Sequence, residues 1–169
     1  MKTMNPMPER LRALLFLNGF GLMVSAIVSG WFWFFSLLGR IVLWPIPGSI
    51  EIVIPGDARA WRMAHMEGIT QGLLLMALGL GGAWVLLGER GHRVLFWSAL
   101  VTAWLFTLPT MLHPFFGTRG LEFGGGPFKG GLANDVLYVV GWPPVVCIHV
   151  MLALTIVGVV RYVRTLRDA

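Results

Sequence analysis

Residues 136–160 read VLYVVGWPPVVCIHVMLALTIVGVV, with no charged side chain between Asp135 and Arg161. A helix needs about 20 apolar residues to cross the hydrocarbon layer of a membrane, so this run is long enough for one span. In lipid, only helices and closed barrels satisfy all of their main-chain polar groups, and the run lacks the alternation of a barrel strand. It therefore predicts a transmembrane helix.

Three earlier runs have the same character: residues 13–39, 68–88 and 94–118 contain no Asp, Glu, Lys or Arg. The whole chain is 56% hydrophobic and 12% charged, whereas soluble domains carry about 25% charged residues. The first run exceeds the apolar core of a signal peptide, so we expect it to remain as a span. These features predict an all-α membrane protein, a four-transmembrane-helix bundle in which residues 1–169 form a single integral membrane domain. The expected helices are 11–40, 60–88, 93–113 and 135–163.

The basic residues indicate the orientation of these spans. Most of the 13 Lys and Arg residues lie in the N-terminal segment, the turn at 88–93 and the C-terminal segment. Cytoplasmic segments carry such an excess, so both termini are expected on the cytoplasmic side of the inner (cytoplasmic) membrane. The net charge of +5 is then a topology signal, and no nucleic-acid partner is expected. Cys147 is the only cysteine, which excludes a disulfide framework, a Cys-x-x-Cys-His haem attachment and a thiolate metal cluster.

Ionisable and amide side chains inside a span cost free energy unless they are paired, so they are candidates for function. The candidates are Asn18, His65, Glu67, Gln71, His113 and His149. His92, in the cytoplasmic turn, is expected to be solvated.

The second helix has two chemically different sides. Gly68 and Gly72 share the face of His65, so a planar ligand could lie against the helix there. Glu67 and Gln71 point away from that face, and in a head-to-tail ring of identical subunits the two sides would meet. Two simpler explanations stay open. His65 could bond a loop carbonyl while Glu67 pairs with an arginine, and the glycines could simply allow close helix packing.

The second outer loop, GTRGLEFGGGPFKGGLAND at 117–135, is rich in glycine. Glycine adopts backbone conformations that other residues avoid, so such a loop can fold closely over a flat group or against other backbone. The same composition also suits a mobile linker. Both interpretations stay open.

The segments VIPGDARAWRMAHMEG (53–68) and TRGLEFG (118–124) resemble sequences of the styrene oxide isomerase family. The resemblance extends to an Asp and a Pro in the fourth helix, Asp135 and Pro144. The resemblance implies a four-helix membrane protein that forms a homotrimer and binds haem b between subunits. It implies that His65 is the axial ligand of the iron. The other cofactor-binding residues that it implies are Trp61, Gly68, Gly72 and Arg119.

The implied reaction is the Meinwald rearrangement of a small hydrophobic aryl epoxide to an aldehyde, with ferric haem as the Lewis acid. The catalytic residues carried over by the resemblance are Gln71, Trp104 and Thr110. Gln71 stands where the family has an asparagine, and Thr110 falls where it has a tyrosine near the open side of the haem. These departures predict a pocket of different shape and hydrogen bonding.

Two other functions are compatible with the same residues. One is a b-type haem membrane protein acting in electron transfer or in gas or redox sensing, with His113 or His149 as a second axial ligand. The other is a haem-free scaffold or small-molecule channel in which His65 and Glu67 form a structural pair.

Overall fold

The computed structural model describes residues 4–167, and its main elements are four helices. They are α1 (Glu9–Leu38), α2 (Ala58–Gly81), α3 (Glu89–Phe116) and α4 (Leu132–Arg167). A two-stranded antiparallel hairpin of β1 (Arg40–Val42) and β2 (Ser49–Glu51) follows α1, and a short 3₁₀ turn (Gly82–Trp84) follows α2. The predicted all-helical class is confirmed.

Three of the helices, α1, α3 and α4, are long and apolar enough to cross a membrane, as expected of a membrane protein. α2 does not reach the hydropathy that such a membrane-spanning helix needs. Its first half carries His65, Glu67 and Gln71, which lower its hydropathy although the helix has 24 residues.

α1 and α2 lie antiparallel and in close contact along most of their length. Ala26 faces Gly68, Gly19 faces Gly72, and Arg12 donates from Nε to the Gly79 carbonyl at 3.0 Å. A Cβ atom at Gly72 would lie 2.9 Å from the main-chain oxygen of Gly19, so glycine is required for this approach. Small residues allow two helix backbones to pack closely in this way.

The helix ends differ from the expected ones. α2 ends at Gly81 rather than at 88, because Gly82 and the residues after it bond to the N-terminal segment. Met7 donates its N–H to the Gly82 carbonyl, and Asn5 and Leu87 exchange two main-chain hydrogen bonds. α3 continues through Pro114 to Phe116. Gly117 caps this helix end, because it adopts a left-handed conformation (φ 64°) and donates its N–H to the His113 carbonyl.

His92 lies in the first turn of α3, next to this N-terminal segment, and the expectation that it is solvated is wrong. Its side chain is 2% exposed, and Nε2 donates to the main-chain oxygen of Asn5 at 2.9 Å. The N-terminal segment covers the turn and removes the imidazole from solvent. His92 therefore holds the N-terminal segment to the start of α3.

Candidate functional site

His65 lies against α1 with one ring nitrogen occupied. Its Nδ1 is 2.8 Å from the main-chain oxygen of Ala26. A carbonyl oxygen can only accept, so Nδ1 carries the proton, and in the neutral ring Nε2 keeps its lone pair. Nε2 makes no hydrogen bond to any residue between 4 and 167. The partly exposed ring also lies beside Trp33, with the two ring centroids 5.9 Å apart.

The backbone of α1 is shaped for this contact. A Cβ atom at Gly30 would lie 2.8 Å from Nδ1 of His65, so the absence of a side chain there lets the imidazole approach Ala26. The carbonyl that His65 meets belongs to a transmembrane helix and not to a loop. Glu67 accepts a hydrogen bond from Gln71 Nε2 at 2.9 Å, and no arginine pairs with it in the described part of the chain.

Gly68 and Gly72 share the face of His65, as their spacing indicates, but α1 covers that face. A Cβ atom at Gly68 would lie 2.9 Å from the Cβ of Ala26, and one at Gly72 would meet Gly19. A planar ligand cannot lie against these two glycines while α1 is packed there. Close helix packing, the alternative left open by the sequence, is what the structure shows for both.

Three other predicted site residues are also engaged inside the bundle. Trp61 is 1% exposed, packs between Phe32 and Phe115, and donates from Nε1 to the Pro55 carbonyl at 2.8 Å. Trp104 donates from Nε1 to Asn18 Oδ1 at 3.0 Å and so joins α3 to α1. Gln71 is buried beside Glu67, and its Oε1 has no partner among the described residues.

Thr110 and Arg119 line a partly open cavity of about 350 Å³ between α2, α3, α4 and the glycine-rich loop. Its walls are mostly apolar, and its lining includes Leu105, Phe106, Leu137, Tyr138, Trp142 and Val145. The Thr110 hydroxyl donates to the Thr107 carbonyl at 2.7 Å, so only its oxygen lone pairs are available to a ligand. A pocket of this size and apolarity suits a small aromatic molecule.

His113 lines the same cavity. Its side chain is 9% exposed, and its Nδ1 is buried without a hydrogen-bond partner among residues 4–167. Buried polar atoms usually have partners, so a ligand in the cavity is one way to satisfy this nitrogen.

The glycine-rich loop is held down by one buried side chain, that of Asn134. Its Oδ1 accepts from the Thr118 hydroxyl at 2.5 Å and from the Gly120 N–H at 3.2 Å, and its Nδ2 donates to the Glu122 carbonyl at 2.8 Å. Gly120 takes a positive φ of 56° and packs so tightly that a Cβ would lie 2.8 Å from Leu137. Of the two interpretations of this loop, the structure shows a close fold against neighbouring backbone.

The His65 side and the cavity lie on different sides of α2. His65 contacts α1, whereas Met63 lines the cavity, and the two positions are separated by about 200° around the helix. The structure therefore does not bring His65 and Thr110 together within one chain.

His149 lies at another depth. Along their helices, His65 is about 25 Å from Gly82 whereas His149 is about 14 Å from Gly158, at 1.5 Å per residue. Gly158 of α4 lies beside the turn that begins at Gly82, since Leu86 donates its N–H to the Gly158 carbonyl at 3.2 Å. His149 is exposed, with Nδ1 2.7 Å from the Val145 carbonyl.

The comparison with protein families agrees with the motifs at 53–68 and 118–124. The family model described as styrene oxide isomerase matches residues 11–160, which is most of the chain. The chain belongs to the styrene oxide isomerase family. Membership of this family implies that the protein is an isomerase. Among curated proteins, no sequence matches the chain.

Sequence reasoning missed some residues that shape the two sides of α2 in this styrene oxide isomerase family member. Trp33 lies beside His65 and was not among the predicted site residues. Tyr138 and Trp142 line the cavity and contact each other edge to face at 6.1 Å. Their i, i+4 spacing next to Gly141 was the available signal.

Proposed function

We propose that the protein is a haem-dependent isomerase that converts small aryl epoxides to aldehydes by the Meinwald rearrangement. The proposed cofactor is ferric haem b, and the proposed axial ligand is Nε2 of His65. The family membership supports the isomerase class, and the geometry of His65 supports the choice of ligand.

The observation that carries this proposal is the hydrogen bond from His65 to Ala26. Histidines that bind a metal usually donate their other ring N–H to a carbonyl or a carboxylate, which sets the tautomer and orients the ring. His65 has this arrangement, with Nδ1 2.8 Å from a helix carbonyl and Nε2 unpaired within residues 4–167. The donor set thus fits one axial bond to a haem iron.

A haem held by His65 would lie on the outer surface of α1 and α2, because Gly68 and Gly72 are already covered. An exposed macrocycle needs a second protein surface, and the cavity on the far side of α2 offers one. We propose a head-to-tail homotrimer in which the cavity of one subunit faces His65 of the next and so completes the site.

A ferric haem in this position would supply a Lewis acid that weakens the benzylic C–O bond of the epoxide. The residues of the chain hold and shield the substrate. Apolar walls around Phe106, Trp142 and Val145 orient an aromatic ring and keep out water that would trap a cationic carbon. Thr110 offers only lone pairs, so its proposed role is to position the substrate.

His149 does not fit as the second axial ligand. If copies are related by an axis along the membrane normal, His149 of a neighbouring copy lies at the same depth as His149 of this chain. That depth differs from the depth of His65 by about 11 Å, whereas two ligands of one iron are expected at similar depth. His113 lies on the cavity side of α2. The electron-transfer alternative therefore rests on His113 of a neighbouring copy.

We also propose that α2 is a fourth span. Its contacts with α1 run from Gly30–His65 to Arg12–Gly79, which is about 27 Å along α1 at 1.5 Å per residue. A partner that follows a spanning helix over this length crosses the same hydrocarbon layer. Because the basic residues lie at the other end, we propose that both termini are cytoplasmic and that the site lies in the outer half of the inner membrane.

The test is the visible spectrum of purified protein in detergent, followed while styrene oxide is added and aldehyde is measured. The expected result is a haem Soret band that shifts with substrate, high-spin ferric iron, and turnover that stops when the iron is reduced. Rapid aldehyde formation by haem-free protein would reject the proposal. A low-spin bis-histidine spectrum without turnover would favour the electron-transfer alternative.

A further inference from the structure

Of the described residues that line the cavity, only Arg119 carries a charge at neutral pH, and none has a carboxylate. The guanidinium contacts the Sδ of Met63 at 3.1 Å and lies over the ring of Phe128 at 5.2 Å. No acidic side chain in the described chain lies within salt-bridge distance of it. Its contacts among the described residues are therefore with the neutral side chains of Met63 and Phe128, and it forms no ion pair with them.

Arg119 is partly exposed, and no carboxylate among the described residues competes with a ligand for its guanidinium. The planar guanidinium presents N–H groups in a fork that matches a carboxylate better than any neutral oxygen. Met63 and Phe128 restrict the side chain, so less conformational freedom is lost when an anion binds. The cavity thus provides a fixed positive charge at one end of an apolar space.

His113 adds a second polar group to the same space. Its buried Nδ1 lacks a partner in residues 4–167, and as an N–H it would donate to a second carboxylate oxygen. The remaining lining, from Leu105 and Phe106 to Trp142, suits a ring or a short alkyl chain.

From this arrangement we propose that Arg119 and His113 form a carboxylate-binding site at the polar end of the cavity, for a ligand whose remainder is apolar. The carboxylate has two possible sources. One is a small free arylalkanoic acid. The other is a propionate of haem held by His65 of a neighbouring subunit, and this second source rests on the proposed function.

The first arm of the test uses haem-free protein in detergent and isothermal titration calorimetry, so it does not depend on the cofactor. The probes are 3-phenylpropionate and its neutral amide, which differ in charge and little in shape. If a free acid is the ligand, 3-phenylpropionate is expected to bind at least tenfold more tightly than its amide, and Arg119→Gln is expected to remove this preference. Arg62→Gln is the matched control, because Arg62 is an exposed arginine near the same end of α2. Arg62→Gln is expected to keep the preference for the acid over the amide.

The second arm measures the dissociation of haem b and of haem dimethyl ester, which lacks the two charges. If a haem propionate is the ligand, Arg119→Gln is expected to release haem b at least tenfold faster and to leave the release rate of the dimethyl ester unchanged. His113→Leu is expected to change the same quantity as Arg119→Gln, either the acid preference or the rate of haem b release, but by a smaller factor. Melting temperatures are measured to show that the variants are folded. If folded Arg119→Gln alters neither the acid preference nor the difference between haem b and its ester, the site is rejected. If the protein binds no haem, the proposed function fails and the first arm alone decides.

Discussion

Nδ1 of His65 lies 2.8 Å from the main-chain oxygen of Ala26, on a helix 39 positions earlier in the chain. This hydrogen bond settles which ring nitrogen carries the proton, and it aims the other nitrogen away from α1. The imidazole is thus oriented by the packing of two helices before any ligand binds. Such preorganisation raises metal affinity because little ordering remains to be done.

His65→Ala is expected to abolish haem binding, since it removes the proposed axial nitrogen. The measurement is the pyridine haemochrome content of purified protein. His149→Ala is the control, because His149 also has Nδ1 bonded to a carbonyl but lies at a different depth. A His65→Ala protein with the haem content of the parent would contradict the assignment.

Gly30→Ala tests the orienting bond without touching the histidine. The added Cβ would lie 2.8 Å from Nδ1, so the ring must move and its bond to Ala26 weakens. Loss of such supporting bonds lowers metal affinity by about 10- to 100-fold, which a haem titration would detect. Gly21→Ala, whose Cβ meets only the Trp104 side chain at 3.4 Å, should change affinity little. Equal effects of the two changes would mean that the bond does not matter.

The positions of the helices followed closely from the sequence, because the thickness of hydrocarbon dictates how long a charge-free run must be. Their ends did not. Gly81 ends α2 because the N-terminal segment bonds to Gly82 and Leu87, and no local pattern announces a contact between segments so far apart.

The candidate site was also predictable only in part, because it depends on contacts between helices that are far apart in the chain. Helical periodicity correctly placed Gly68 and Gly72 on the face of His65, but it cannot say what covers that face. The cavity was missed because Tyr138 and Trp142 belong to an apolar span, where aromatic residues are equally suited to facing lipid. Only the packing of α4 against α3 shows that these two side chains line a cavity and do not face lipid.

Gly68→Ala is expected to destabilise the haem-free protein, since its Cβ would lie within about 3 Å of backbone and Cβ atoms of Ala26, which cannot rotate away. Overpacking of this kind costs about 1–3 kcal/mol, seen as a lower melting temperature in detergent. Gly141→Ala is the control, because nothing lies within 4 Å of its added Cβ. If Gly68→Ala instead weakened haem binding and left the melting temperature unchanged, the glycine would serve a cofactor and not α1.

The proposed crossing of α2 can be tested with single cysteines in a Cys147→Ser background. Ser49→Cys lies in the exposed hairpin that follows α1, and Arg90→Cys lies in the exposed first turn of α3. A membrane-impermeant maleimide added to spheroplasts should label position 49 and should label position 90 only after lysis. Labelling of both positions in intact spheroplasts would show that α2 does not cross.

Asn134→Ala is expected to loosen the glycine-rich loop, because one 1%-exposed amide serves Thr118, Gly120 and Glu122 at once. Removing it leaves a main-chain N–H and a carbonyl without their partner, so the loop should open more often. An opening equilibrium shifted by about 1.4 kcal/mol would speed tryptic cleavage after Arg119 and Lys129 about tenfold. Asn18→Ala is the control, since that amide bonds Trp104 at the centre of the bundle. Its loop should be cleaved at the parental rate. Unchanged cleavage in Asn134→Ala would mean that the positive-φ glycines and the contact of Gly120 with Leu137 hold the loop without the amide.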